Sequence, residues 1–193
     1  MVKITTTLQN STATKDAINV LPKKSTIAKQ IQRARQKELD VPDAPKTWQG
    51  FAIPEVLTKT ASGDQFLILE ERLEDDRDEY IVGFASPEGI KTMKDSTQMF
   101  GDGTFEVVEK TLFYQVFVII STTVTGINVP TSYFLLPCKE AIVYKKALMC
   151  LKNLGVTDPP IFHCDFENNI IKSIKDVYPV VGSCAATDTS NVP

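Results

Sequence analysis

Two acidic residues stand where metal-dependent chemistry would need them. Asp102 lies in Phe100-Gly101-Asp102-Gly103-Thr104-Phe105, and Asp165 in Ile161-Phe162-His163-Cys164-Asp165-Phe166-Glu167. Phosphodiester cleavage with two divalent cations needs carboxylates that converge within a few ångströms, because the ions sit ~4 Å apart and stabilise both the attacking and the leaving oxygen. Oxygen ligands suit Mg²⁺ or Mn²⁺, which keep several waters and accept a site built from two carboxylates. Each acid also has a purely local reading. Asp102-Gly103 between apolar runs fits a hairpin turn. Asp165 fits a cap for a helix beginning near Asn168, with Glu167 favourable at the same positive helix end. His163, the only histidine, alternates onto the same strand side as Asp165, where it either faces a substrate phosphate or packs.

Whether the two acids meet depends on the elements that carry them. Met99 to Val108 reads as a strand containing Asp102, Leu112 to Thr122 as a second, very apolar and β-branched strand, and Ser132 to Pro137 as a third. Glu140 to Leu154 reads as a helix, with Ile142, Val143, Ala147, Leu148 and Leu151 at helical spacing and Gly155 at its end. Pro160 to Phe166 is a fourth strand, Asn168 to Val177 a second helix, and Val180 to Ala185 a fifth strand. Three strands on short connections predict an antiparallel meander, and the alternation that follows predicts parallel additions to the same sheet. This order matches an RNase H-like α/β fold. There the first and fourth strands are neighbours, which would bring Asp102 and Asp165 to one sheet edge.

Upstream, residues 1 to 20 are rich in Thr, Ser, Asn and Lys and read as a flexible leader. Ser25 to Glu38 reads as a helix on which Ile27, Ile31 and Ala34 form the apolar face. Residues 15 to 37 carry a net charge of +6, with Lys23, Lys24, Lys29, Arg33, Arg35 and Lys37 among the bases and Asp16 the only acid. Such a helix either docks its isoleucines on a core as a solvated surface element or leans on a phosphate backbone. Pro42, Asp43 and Pro45 make a linker. Residues 46 to 96 read as a small strand-rich scaffold, with strands at Ala52 to Leu57, Phe66 to Glu71 and Tyr80 to Phe84 and a turn at Ser62-Gly63-Asp64. Ser86-Pro87-Glu88 opens a short helix through about Lys94. Residues 97 to 187 then form the acid-bearing domain and 188 to 193 a tail.

Composition excludes several classes. No apolar run approaches the ~20 residues that span a bilayer, so no membrane is expected as a partner. The first ten residues lack an apolar signal-peptide core, so a nuclear or cytoplasmic protein is expected rather than a secreted one. Cys138, Cys150, Cys164 and Cys184 are scattered and include no Cys-x-x-Cys pair, and they read as reduced core thiols rather than zinc ligands. Gly101-x-Gly103 lacks a third glycine and precedes no helix, which argues against a nucleotide-binding loop.

The segments Phe100 to Phe105, Tyr114-Gln115-Val116-Phe117, Tyr133 to Pro137 and Ile161 to Glu167, in that order, resemble the start of a MULE (Mutator-like element) transposase domain. Ile31-Gln32-Arg33-Ala34-Arg35 is similar to the stretch that precedes this domain in FLYWCH-associated relatives. The resemblance covers about residues 20 to 184 and is strongest from 99 to 184. It implies metal-dependent DNA cleavage and strand transfer, with Asp102 and Asp165 as the first two acids of an Asp-Asp-Glu triad holding Mg²⁺ or Mn²⁺, DNA as partner, and Glu167 a motif residue without a metal role. Family members continue after the fifth strand with a Cys, an aromatic-His pair and a long helical region that supplies the Glu. Here Cys184 is followed by Ala185-Ala186-Thr187-Asp188. The expectation is therefore a truncated or domesticated transposase-derived chain without the third acid, binding metal weakly if at all and with little or no catalysis. The alternatives are a noncatalytic DNA-binding or protein-interaction remnant that works through its basic helix, and a truncated product without function.

Overall fold

The computed structural model describes residues 24–38, 47, 52–73, 79–105, 108, 111–157, 159, 161–165, 167–179 and 184–186. The chain divides into two compact units, Met1–Asp43 and Ala44–Pro193. The first contains helix α1 (Lys24–Glu38). On it Ile27 and Ile31 are half-buried, whereas Ala34, expected on the same apolar face, is exposed. A methyl group removes little area from water, so its position is weakly held.

The second unit is a mixed α/β structure built on one sheet. Its elements are α2 (Glu55–Thr58), β1 (Leu67–Arg72), β2 (Tyr80–Phe84), α3 (Pro87–Asp95), β3 (Gln98–Thr104), β4 (Gln115–Thr122), β5 (Asn128–Leu136), α4 (Ala141–Asn153), β6 (Ile161–Cys164), α5 (Asn168–Val177) and β7 (Cys184–Ala186). The strand order is β1-β2-β5-β4-β3-β6-β7. Pairs β1·β2, β2·β5, β4·β5 and β3·β4 are antiparallel, and β3·β6 and β6·β7 are parallel. The meander and the parallel additions thus share one sheet, and β1 and β2 extend that sheet past β5 rather than forming a separate one.

Strand alternation gives the sheet two different faces. Met99, Phe117, Ile119, Phe134, Leu136 and Phe162 point to one side and pack with the buried stripes of α4 and α5 in the main core. On α4 that stripe is Val143, Tyr144, Ala147, Leu148 and Leu151, at the spacing of one helical face. The helix ends in a Schellman motif. Gly155 takes φ +86°, its N–H donates to the Lys152 carbonyl, and the Val156 N–H donates to the Leu151 carbonyl. Val156 and Leu151 are both buried in the same core, so the cap also closes a hydrophobic contact. On the other face a smaller cluster gathers around Val82, with Leu135 and Phe84 against it.

One expected strand is a helical turn instead. The apolar run Ala52 to Leu57 predicts an extended segment, but Glu55–Thr58 closes a single turn. The Leu57 N–H donates to the Pro54 carbonyl, the Thr58 hydroxyl to the Glu55 carbonyl at 2.8 Å, and Lys59 pairs with Glu55 at 2.5 Å. Pro54 supplies a fixed φ that suits the entry to the turn. The apolar run that looked like a strand leaves Val56 and Leu57 exposed. Helix α3 follows its local signals: Ser86 accepts from the Gly89 N–H at 3.0 Å, and Pro87 takes the first helical position.

Candidate metal centre at the β3–β6 edge

Asp102 is not in a hairpin turn. It lies inside β3, opposite Val118 of β4, and Gly103 lies opposite Phe117. Asp165 is not a helix cap, because the residue preceding α5 is Glu167. Both local readings therefore give way to a tertiary one.

The parallel pair β3·β6 aligns Gln98 with Ile161, Met99 with Phe162, Phe100 with His163 and Gly101 with Cys164. Asp102 follows Gly101 within β3 and Asp165 is the residue just after Cys164 ends β6, so the two acids sit one step past the last paired residues, toward the carboxyl ends of neighbouring parallel strands. Paired strands run about 4.8 Å apart, so carboxylates from adjacent positions can close on one ion. The shared face is fixed by the residues before them. The Phe100 and His163 rings stack at 4.5 Å with 11° between planes, and His163 Nε2 lies 3.2 Å from Gln98 Oε1. Asp102, two residues after Phe100 within β3, takes the same side of the pleat as Phe100, and Asp165 stands two residues after His163, just past the end of β6. Both acids are exposed, on the face opposite the one that α4 and α5 cover. His163 is half-buried and packed into this edge rather than presented to solvent, and its Nδ1 is buried without a hydrogen-bond partner among the described residues.

A second polar group, which sequence reading did not assemble, lies at the same end of the sheet. Gln115 at the start of β4 is fully buried and donates from Nε2 to the Tyr144 hydroxyl. Tyr144 in turn donates to Glu167 Oε1 at 3.0 Å, and Lys139 Nζ donates to Glu167 Oε2 at 3.0 Å. The Lys139 ammonium also sits 4.5 Å from the centre of the Phe105 ring, which meets Tyr114 edge-on at 5.5 Å. Burial holds the Tyr144 phenol well above its usual range; the hydrogen bond from Gln115 opposes this, and the negative charge of Glu167 adds to it. Tyr144 therefore stays a donor to Glu167 at any ordinary pH. The residues come from β4, α4, the β5–α4 connection and the β6–α5 turn, so no spacing in the chain announces them. The available signals were a glutamine heading an apolar β-branched strand and a tyrosine inside the apolar stripe of α4.

Among the described residues no group of three or more His, Cys, Asp or Glu converges as a metal site. Asp102 and Asp165 are two acids at this end of the sheet, and carboxylate oxygens are the donor type that hydrated hard cations accept. Cys138, Cys150 and Cys164 are reduced; the side chain of Cys184 lies outside the described residues. Of the six bases singled out for DNA contact, Lys29 and Arg33 are exposed one turn apart on α1. Lys24, Arg35 and Lys37 are also on α1, with side chains outside the described residues, and Lys23 lies outside them altogether. No described helix is long and apolar enough to cross a membrane. Comparison of the chain with protein-family models, with curated proteins and with solved structures returned no match.

Proposed function

We propose that residues 97–187 form an RNase H-like domain of the transposase type, that Asp102 and Asp165 hold Mg²⁺ or Mn²⁺, and that the chain derives from a MULE-type DNA transposase. The observation that supports the reading is the parallel β3·β6 register, which aligns Gly101 with Cys164, the residues immediately before the two acids. The order β5-β4-β3-β6-β7, with only β4 antiparallel to the rest, supports the fold assignment. The carboxyl ends of parallel strands are also where open α/β sheets commonly bind ligands. A bound cation would supply charge stabilisation for a phosphoryl oxygen and lower the pKa of a coordinated water. With Asp102 and Asp165 as the acids that the described residues supply, weak cation binding and little or no DNA cleavage are expected.

The test is a Mg²⁺ and Mn²⁺ titration of the full chain and of the Asp102→Ala/Asp165→Ala variant, read by thermal unfolding. A cation tenfold above its Kd stabilises the folded state by about 1.4 kcal/mol. Stabilisation confined to the parent is expected. Equal behaviour of the two proteins would reject the metal centre.

The exposed Lys29 and Arg33 favour a second reading, in which α1 contacts a DNA backbone whether or not the acids bind metal. A noncatalytic DNA-binding remnant would then keep its DNA affinity in the double-alanine variant.

A further inference from the structure

The polar group beside the acid pair does more than fill a gap between helices. It ties together the two segments on which Asp102 and Asp165 are carried. Glu167 is two residues beyond Asp165, and both its oxygens are bound, one by Tyr144 and one by Lys139, each at 3.0 Å. Phe105 is three residues beyond Asp102, and its ring lies under the same Lys139 ammonium at 4.5 Å. Lys139 thus grips the end of β3 with its charge on an aromatic face and the β6–α5 turn with an ion pair. A backbone tie adds to this: Asn169 Nδ2 in the first turn of α5 donates to the Lys139 carbonyl at 2.8 Å.

Gln115 fixes the same strand end from its other side. Its Oε1 is buried with no hydrogen-bond partner among the described residues, and it lies 2.7 Å from where a β-carbon on Gly103 would stand. The glutamine amide therefore occupies the space above Gly103, directly after Asp102, while its nitrogen is committed to Tyr144. A chain of contacts runs from Gly103 through Gln115, Tyr144 and Glu167 to the turn that bears Asp165. It crosses the sheet edge on the helix side, and the acids project on the opposite side.

We infer that Lys139 and Tyr144 are positioning residues: acting through Glu167, Phe105 and Gln115, they hold the ends of β3 and β6 at the separation at which Asp102 and Asp165 share one divalent cation. The inference rests on the metal centre proposed above. Outer contacts of this kind usually matter to metal affinity because they set the orientation of groups that touch the ion, without touching it themselves. The assignment also gives Glu167 a role away from the metal, since both its oxygens are engaged on the helix side of the sheet.

The probe is Mn²⁺ alone, its dissociation constant measured on the folded full-length chain by the electron paramagnetic resonance signal of the free ion. Four variants decide the matter. Tyr144→Phe keeps the ring that packs edge-on against Phe117 at 5.2 Å and removes only the hydroxyl. Lys139→Met removes the ammonium from a partly exposed side chain, so folding is preserved. Both are expected to weaken Mn²⁺ binding about 10-fold. Lys139→Arg keeps a cation opposite Glu167 and over Phe105, and is expected to retain the parental affinity. A merely structural role would lower the melting temperature but leave the affinity of the folded protein unchanged. Parental affinity in both Tyr144→Phe and Lys139→Met, with binding lost in Asp102→Ala/Asp165→Ala, would overturn the positioning role and leave the acid pair standing. Binding that survives in the double-alanine variant would overturn both.

Discussion

Replacing Gly101 with alanine tests whether the strand that carries Asp102 is as tightly held as its surroundings indicate. Gly101 is buried, paired to Ile119 of β4 on one side and to Cys164 of β6 on the other. The backbone therefore has no free direction in which to move. A β-carbon there would stand 2.9 Å from Phe117 Cζ, 3.0 Å from Phe117 Cε2 and 3.0 Å from Phe162 Cε1. Carbon atoms in contact prefer about 3.5–4.0 Å, so both rings must retreat by roughly half an ångström or more. Both are fully buried in the main core, where interiors are packed nearly as densely as organic crystals. Overpacking of this kind costs about 1–3 kcal/mol. Alanine recovers about 0.5–1 kcal/mol through the backbone freedom that glycine loses in a strand, which leaves a net loss of about 1–2 kcal/mol. For a unit of this size that corresponds to roughly 2–8 °C in Tm. Urea unfolding should show a lower midpoint with an unchanged slope. The steric origin is checked by combining Gly101→Ala with Phe117→Leu, whose smaller side chain gives the methyl room. The two should couple by more than about 0.5 kcal/mol, the pair being less destabilised than the sum. If Gly101→Ala is as stable as the parent, or the two changes simply add, the idea of a rigid β3 seat for Asp102 is wrong.

Two further outcomes follow from the same structure. Burial, with the Glu71 charge adding, pushes the Cys150 thiol from its ordinary 9.0 up to about 11. The unfolded chain therefore ionises this thiol first, so its contribution is fully present below pH 9 and is lost as pH rises toward 11. Urea midpoints measured from pH 8 to 11 should fall more gently in Cys150→Ala than in the parent, and identical slopes would rule the thiol out as a cause. For α1, Lys29→Ala combined with Arg33→Ala should lower the salt dependence of duplex DNA binding by about two units of log K per log salt. Fluorescence anisotropy across a salt series measures this, and an unchanged slope would mean that these side chains do not touch phosphate.

Much of the architecture is local and could be read from the chain. Ser86 and Pro87 start α3, the spacing of Val143, Ala147, Leu148 and Leu151 defines the buried face of α4, and Gly155 ends it with φ +86°. Such signals work because caps, periodicity and positive-φ positions constrain only a few neighbouring residues. The same locality misled at Ala52 to Leu57, where an apolar run looked like a strand. A strand exists only if another supplies its hydrogen bonds, and here a helical turn satisfies the backbone instead.

The sequence by itself put Asp102 within one β-forming segment that could also turn there and Asp165 near the end of another, and showed that a basic stretch precedes an α/β body. Only the tertiary structure decided that Asp102 is inside a strand rather than a turn, and that the strand ending just before Asp165 pairs in parallel with the one that carries Asp102. Parallel pairing and register are contacts between distant segments, and a shift of one residue would send one acid to the opposite side of the sheet. The Gln115–Tyr144–Glu167–Lys139 group was invisible for the same reason. Its members satisfy one another's polar groups only after α4 and α5 are laid on the sheet, and burial then makes those contacts obligatory.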